Sequence, residues 1–421
     1  MKRNILVGIT MMLLLALPAA ASDYTLGIFG NANEDDTINM QDVTYTELII
    51  LEYRDETELS DAKYDGKINM QDVTQIELVI LGKEKEITIL DDTVTGTHPN
   101  GKPVTVKKPV NRIILLNTDV AEAIKVLDSE DKVVGVTSYI PTSDVFFPKL
   151  SKLPSVGKWN SLDVEAILSL NPDLIITYGG SSYSEKTDNI FKDLPVTVVK
   201  LPFYEPESMA HDMEKVGYIL GKVERAHEYI DFEGEHMNTI NEVVGGLSED
   251  EKPRVYLEWA TKPYGTYSKT SGAHQMCIMA GGINIAADLP GGSFPKVDEE
   301  WVIVKNPDII FKHQYGGSGY EEDDPSEMIE RWAEVMNRTE LANVAAVKDG
   351  RVCLLASDIL YSPGYVAGIM YMAKWFHPEL FEDVDPQAIH QEYLDIFHED
   401  LDYSVTEHGV WVYPPLEIDY P

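Results

Sequence analysis

Positive charge is what this sequence has least of: 34 Lys and Arg stand against 71 Asp and Glu, a formal net charge of −37. That balance excludes nucleic acid as a partner, because neutralising phosphates needs clustered Lys and Arg. It equally excludes adsorption to an anionic lipid surface. Cysteine is scarce too. Cys277 and Cys353 stand in the apolar stretches Q-M-C-I-M and R-V-C-L-L and read as buried thiols, although export permits a disulfide between them. Long hydrophobic runs are missing beyond the first residues. There, Lys2 and Arg3 precede an apolar run from Ile5 to Leu17, short for a membrane span, and Pro18-Ala19-Ala20-Ala21 offers a small-residue cleavage site. Residues 1–21 therefore read as an export signal. No Cys follows to carry a lipid anchor, and the mature chain is expected in a periplasm or at a cell surface, without a transmembrane span. Catalytic signatures are missing as well. There is no Gly-x-Ser-x-Gly, His-Glu-x-x-His, Cys-x-x-Cys or phosphate loop, so no enzyme is expected.

What is present is repetition. The stretch Leu162 to Ile176 returns as Val297 to Phe311, with Asp163, Glu165, Asn171, Pro172, Asp173 and Ile175 matched by Asp298, Glu300, Asn306, Pro307, Asp308 and Ile310. Each copy reads as a short amphipathic helix, a turn at Asn-Pro-Asp, then a buried strand. Proline ends the helix because it disfavours helical geometry in the residue before it, and the β-branched run after it suits a strand. Strands alternating with helices on either side of this unit predict an α/β fold of two doubly wound lobes, residues 109–205 and 250–400. A single long helix, 206–246, is expected to join them, and 401–421 to form a C-terminal tail.

A second repeat lies near the N-terminus. Asn39-Met40-Gln41-Asp42-Val43-Thr44 recurs as Asn69-Met70-Gln71-Asp72-Val73-Thr74. Asp61, Lys63, Asp65, Lys67, Asn69 and Asp72 follow the alternating spacing of an EF-hand-type calcium loop, with Gly66 at the sharp turn. Asn31, Asn33, Asp35, Thr37, Asn39 and Asp42 form the first copy. Lys63 places an ammonium where a third oxygen belongs, and Asp36 replaces the glycine. A duplicated, metal-independent helical pair is the alternative. Residues 24–90 resemble a dockerin-like module, a small all-α domain. That resemblance implies Ca2+ in the loops, a bridge between Ile38 and Ile68, and a cohesin-like partner. Residues 91–108 are expected to be a hinge-like linker.

Residues 104–400 resemble the substrate-binding proteins of iron-chelate and vitamin B12 ABC importers. The resemblance rests on Val156 to Glu165, Asn171 to Ile176, Ala280 to Asn284 and Asp349 to Val352. It implies capture of an iron chelate (siderophore or haem) or cobalamin in an interlobe cleft, and delivery to a permease dimer engaged by Glu165 and Glu300. It also implies that Trp159 lies against the ligand. Ligands of doubly wound sheets sit beyond the carboxyl ends of the strands, a rule that selects Tyr139, Tyr178, Trp259, Tyr264, His313 and Tyr361. His313 is a candidate ligand for haem iron or cobalt. Lys158, Lys262 and Lys269 are the cations available to an anionic chelate. A rival function is a cell-surface assembly or adhesion protein, with the dockerin-like module recruiting a partner and the lobes serving as scaffold.

Overall fold

A computed structural model describes residues 24–91, 101–158, 160–179, 187 and 189–416. The segment expected to be an export signal, Trp159 and the segment 92–100 lie outside these. No helix among the described residues is long and apolar enough to cross a membrane.

The N-terminal repeat folds as two equivalent loop–helix units, α1 (Met40–Ile50) and α2 (Met70–Ile80). Each helix is closed at its start by the same reciprocal cap. Asn39 and Asn69 accept from the backbone N–H groups of Gln41 and Gln71, while Asp42 and Asp72 reach back to the N–H groups of Asn39 and Asn69 at 2.8 Å. The unit is not all-α. It ends in strand β1 (Glu86–Asp91), which pairs antiparallel with β2 (Lys102–Lys107), so a strand occupies part of the segment expected to be a linker. No bridge joins Ile38 to Ile68 among the described residues; Ile28 pairs with Ile89 instead. The unit also packs onto the body of the protein. The Tyr24 hydroxyl donates to Glu214 (3.1 Å), and the Lys108 ammonium joins Glu84 to the carbonyl of Tyr218.

The first lobe carries a parallel sheet of four strands, β3 (Ile113–Leu115), β4 (Val133–Val136), β5 (Leu174–Thr177) and β6 (Thr197–Lys200), in the order β4-β3-β5-β6. Helix α3 (Thr118–Val126) follows β3, and α4 (Val164–Ser169) precedes β5. The second lobe is built on β7 (Arg254–Glu258), β8 (Ile283–Asn284), β9 (Ile309–Gln314) and β10 (Val352–Ala356), ordered β8-β7-β9-β10 and parallel. Helices α7 (Gly272–Met279), α8 (Glu299–Lys305), α9 (Ser326–Met336), α10 (Tyr365–Phe376) and α11 (Pro386–Phe397) surround it. The expected tail contributes β11 (Val412–Tyr413), which pairs antiparallel with β10 and belongs to the second lobe. Both cysteines are buried, as their apolar surroundings imply.

The duplicated motif has one structural job in each lobe. Asn171 and Asn306 end their helices in the left-handed region, at φ 45° and 44°, a geometry asparagine tolerates better than most residues. The aspartate two positions later then clamps the start of the neighbouring strand. Asp173 accepts from the N–H groups of Asn111 (2.9 Å) and Arg112 (3.0 Å), and Asp308 accepts from that of Arg254 (2.8 Å).

The interlobe connection is two helices rather than one, α5 (Pro206–Leu220) and α6 (Val223–Val244). Gly221 adopts φ +68° and stops the first, the usual role of glycine at a helix C-terminus. Gly217 lets the second cross close by, since a Cβ there would stand 2.8 Å from that of Ala226.

Candidate functional site

The carboxyl ends of both sheets face a cavity of about 680 Å³. Thr118 and Asp119 follow β3, Tyr178 and Gly179 follow β5, and Tyr204 and Glu205 lie beyond β6. From the second lobe come Trp259 after β7, Tyr315 after β9, and Ser357 to Ser362 after β10, joined by Tyr267 and Phe294. This is where a doubly wound sheet places a ligand, because helix starts and loops converge there. Trp259 and Phe294 stack with ring centroids 5.3 Å apart, presenting a broad apolar face.

The lobes meet along the wall of this cavity through two carboxylates offered in opposite directions. Glu122, on α3, accepts from the Tyr393 hydroxyl (2.7 Å), the Gly364 N–H (3.0 Å) and the Ser362 hydroxyl (3.2 Å) of the second lobe. Glu321, in the second lobe, accepts from the N–H groups of Val145 (3.0 Å) and Phe146 (3.1 Å). Phe146 stacks on Tyr320 at 4.1 Å beside it. Burial pushes the Glu122 carboxyl up to about 8 and that of Asp119 up to about 7. Glu205 and Asp358 are pushed up to about 7 and about 6, again chiefly by burial.

Of the residues selected from sequence, Tyr178, Trp259 and Tyr361 line the cavity. Tyr139 does not. It follows β4, the edge strand, and its ring lies on the surface beneath the Lys158 ammonium at 5.7 Å. Tyr264 does not either. It sits in a turn at φ +62°, donates to Glu340 at 2.7 Å and lies under the Arg338 guanidinium, against the cluster of Tyr256, Ile310 and Leu354 on the outer side of the sheet. His313 is a buried spacer, 1% exposed, rather than a ligand in the cavity wall. Tyr267 reaches its ring nitrogens at 3.2 Å and Tyr361 reaches Nδ1 at 3.3 Å, so it orients two cavity tyrosines from behind. Burial lowers its pKa to about 3, which keeps the ring neutral. Trp159 lies outside the described residues, and Lys158, Lys262 and Lys269 are not part of the lining.

Sequence reasoning missed the acidic wall and one buried cluster that shapes it. Glu258, fully buried at the end of β7, is held by Arg338 in two bonds (2.6 and 2.9 Å) and by Lys312 (3.1 Å). Lys312 also donates to the carbonyl of Trp259 at 3.0 Å, which fixes the backbone carrying that ring.

Glu165 and Glu300 are exposed, each in the first turn of its short helix (α4 and α8). The helices start alike: Asp163 accepts from Ala166 N–H at 2.9 Å, and Asp298 from Trp301 N–H at 2.8 Å.

In the N-terminal loops, Asp42 and Asp72 fold the chain inward. Asp42 also accepts from the Asn33 N–H (3.2 Å), and Asp72 from that of Lys63 (3.0 Å). Asp35 and Asp65 accept from the N–H groups of Thr37 and Lys67. Asp61 accepts from those of Asp65 and Gly66. The Lys63 ammonium turns toward Glu86, 3.7 Å away. Among the described residues, no three or more His, Cys, Asp or Glu side chains converge as a metal site. Asn31 contributes a buried amide oxygen with no partner there.

The model of the periplasmic binding protein family matches residues 113–359. An uncharacterized ABC transporter substrate-binding lipoprotein, YvrC, of Bacillus subtilis is 27% identical over 296 residues, covering 69% of this chain and 87% of that protein. The vitamin B12-binding protein of Yersinia pestis is 28% identical over 205 residues, 47% of this chain and 68% of that protein. Among solved structures, the TroA-like periplasmic binding protein FepB from Veillonella parvula superposes with a TM-score of 0.63 at 24% identity, covering 76% of this chain and 99% of that one.

Proposed function

We propose a function from one premise: the chain belongs to the periplasmic binding protein family. It is a solute-binding component of an ABC importer, not an enzyme. We infer that it captures a metal chelate, either an iron chelate (siderophore or haem) or cobalamin, in the interlobe cavity. Delivery to the permease dimer then proceeds by docking through Glu165 and Glu300. The observation that supports this reading is the cavity itself, in which aromatic faces from the strand ends of both lobes converge on a volume suited to a small molecule. Native mass spectrometry against siderophores, haem and corrinoids tests it. Retention of one class is expected, and retention of none overturns it. Docking is tested separately by uptake with Glu165→Ala combined with Glu300→Ala. Transport falls while ligand affinity stays; unchanged transport removes the docking role.

The N-terminal repeat has a proposed ligand too. Ca2+ in its first loop would be held by Asn31, Asn33, Asp35 and Asp42, and the partnerless amide oxygen of Asn31 favours this. The ion's contribution would be to offset repulsion between the Asp35 and Asp42 carboxylates.

A further inference from the structure

The described residues that line the cavity include five carboxylates, Asp119, Glu122, Glu205, Glu321 and Asp358, and no Lys or Arg. Two of the five are spent on lobe contact, Glu122 and Glu321. Asp119 is different. It is 2% exposed, its Oδ1 accepts from the Asn117 amide at 2.6 Å, and its Oδ2 has no partner among the described residues. A carboxylate oxygen buried without a partner is unfavourable unless it takes up a proton, as burial favours here, or a cation enters to pair with it. Two of the lysines expected to serve an anionic chelate are engaged elsewhere: Lys262 lies over Trp259, 4.9 Å from the ring centroid, and Lys269 pairs with Asp288 at 3.2 Å. The same wall carries Tyr178, Trp259, Tyr315 and Tyr361, of which Tyr178 and Tyr315 lie within electrostatic reach of Asp119. Such ring faces attract cations through their quadrupoles, and most strongly where water is excluded.

Resting on the reading of this cavity as a chelate site, we propose that its ligand is a cationic metal chelate whose positive end is seated against Asp119 between the aromatic faces. A ferric trihydroxamate with a free ammonium tail and an aquo-corrinoid share that chemistry. A ferric tris-catecholate and haem, with its two propionates, carry the opposite charge and have no positive end to pair with Asp119.

The test is titration calorimetry on the full chain with charge-matched pairs. One pair is the ammonium-bearing trihydroxamate and its N-acetylated form; the other is the aquo- and cyano-corrinoid. One cationic member binds roughly tenfold or more tightly than its neutral counterpart, and Asp119→Asn abolishes that preference. Glu205→Gln, in the same acidic wall, reduces the preference in the same assay and serves if Asp119→Asn does not fold. Equal affinity within both pairs, or tightest binding by the tris-catecholate or haem, overturns the charge assignment and leaves the solute-binding reading standing. A preference that survives Asp119→Asn in folded protein overturns the role given to Asp119. No binding by any member of the panel overturns the chelate reading and this inference with it.

Discussion

Glu122 is one of the two carboxylates that join the lobes, and its contribution can be worked out bond by bond. Replacing it with alanine withdraws the acceptor of three donors in the second lobe. Two of these have other partners at hand: the Ser362 hydroxyl also donates to the Asp358 carbonyl at 2.8 Å, and the Gly364 N–H can donate to Ser362 Oγ at 3.2 Å. The buried Tyr393 hydroxyl is left with nothing. Two weakened hydrogen bonds and one orphaned hydroxyl amount to about 3 kcal/mol. Glutamine keeps the accepting oxygen, so Glu122→Gln costs less than about 1 kcal/mol at neutral pH. Urea unfolding midpoints measure both, and equal midpoints for the two variants would falsify the latch. The same group predicts a pH dependence. Its folded pKa lies near 8, above the ordinary 4.5, because burial disfavours the charge. The folded state therefore binds this proton more tightly than the unfolded chain does. The stability it contributes is complete below pH 4.5 and is lost as pH rises through about 8, by up to about 1.4 kcal/mol per unit. Wild type must lose stability relative to Glu122→Gln across that window; parallel curves refute the assignment.

Other outcomes are expected with simpler measurements. Trp259→Ala weakens binding of the captured chelate by roughly tenfold or more while leaving circular dichroism unchanged, and unaltered calorimetric affinity counts against its role. Asp173→Ala costs about 2 kcal/mol and Asp308→Ala about 1 kcal/mol, following the two backbone donors held by the first and the single one held by the second. Denaturation that ranks them in reverse order contradicts the clamp. Chelating Ca2+ with EGTA lowers the melting temperature of the full chain, and an unmoved transition rejects calcium in the first loop.

The two-lobe fold was readable because its signal is local and written twice. Asn171 and Asn306 end their helices in matching conformations, and their neighbouring aspartates bind adjacent backbone. The strand-end rule likewise reached Tyr178, Trp259 and Tyr361. It failed at Tyr139 because the loop after β4 leaves that ring on the surface under Lys158, and at Tyr264 because a turn at positive φ carries the ring to Glu340 and Arg338. The acidic wall was invisible for a different reason. In α3 every residue from Asp119 to Val126 is buried, yet a Glu in a helical pattern reads as solvent-facing until the opposite lobe, more than 200 residues away in sequence, supplies partners for Glu122. The break between α5 and α6 hung on one glycine whose backbone angle no periodicity encodes.

The antiparallel ribbon of β1 and β2 has a mechanical consequence. Together with Tyr24 against Glu214 and Lys108 between Glu84 and Tyr218, it joins the repeat to α5 by paired backbone and ion contacts rather than by slack chain. A force applied to the repeat would therefore pass to the body without slack, as through a handle brazed to a cup. The direction in which the cavity opens is then fixed relative to the repeat, so that the two turn together as one body.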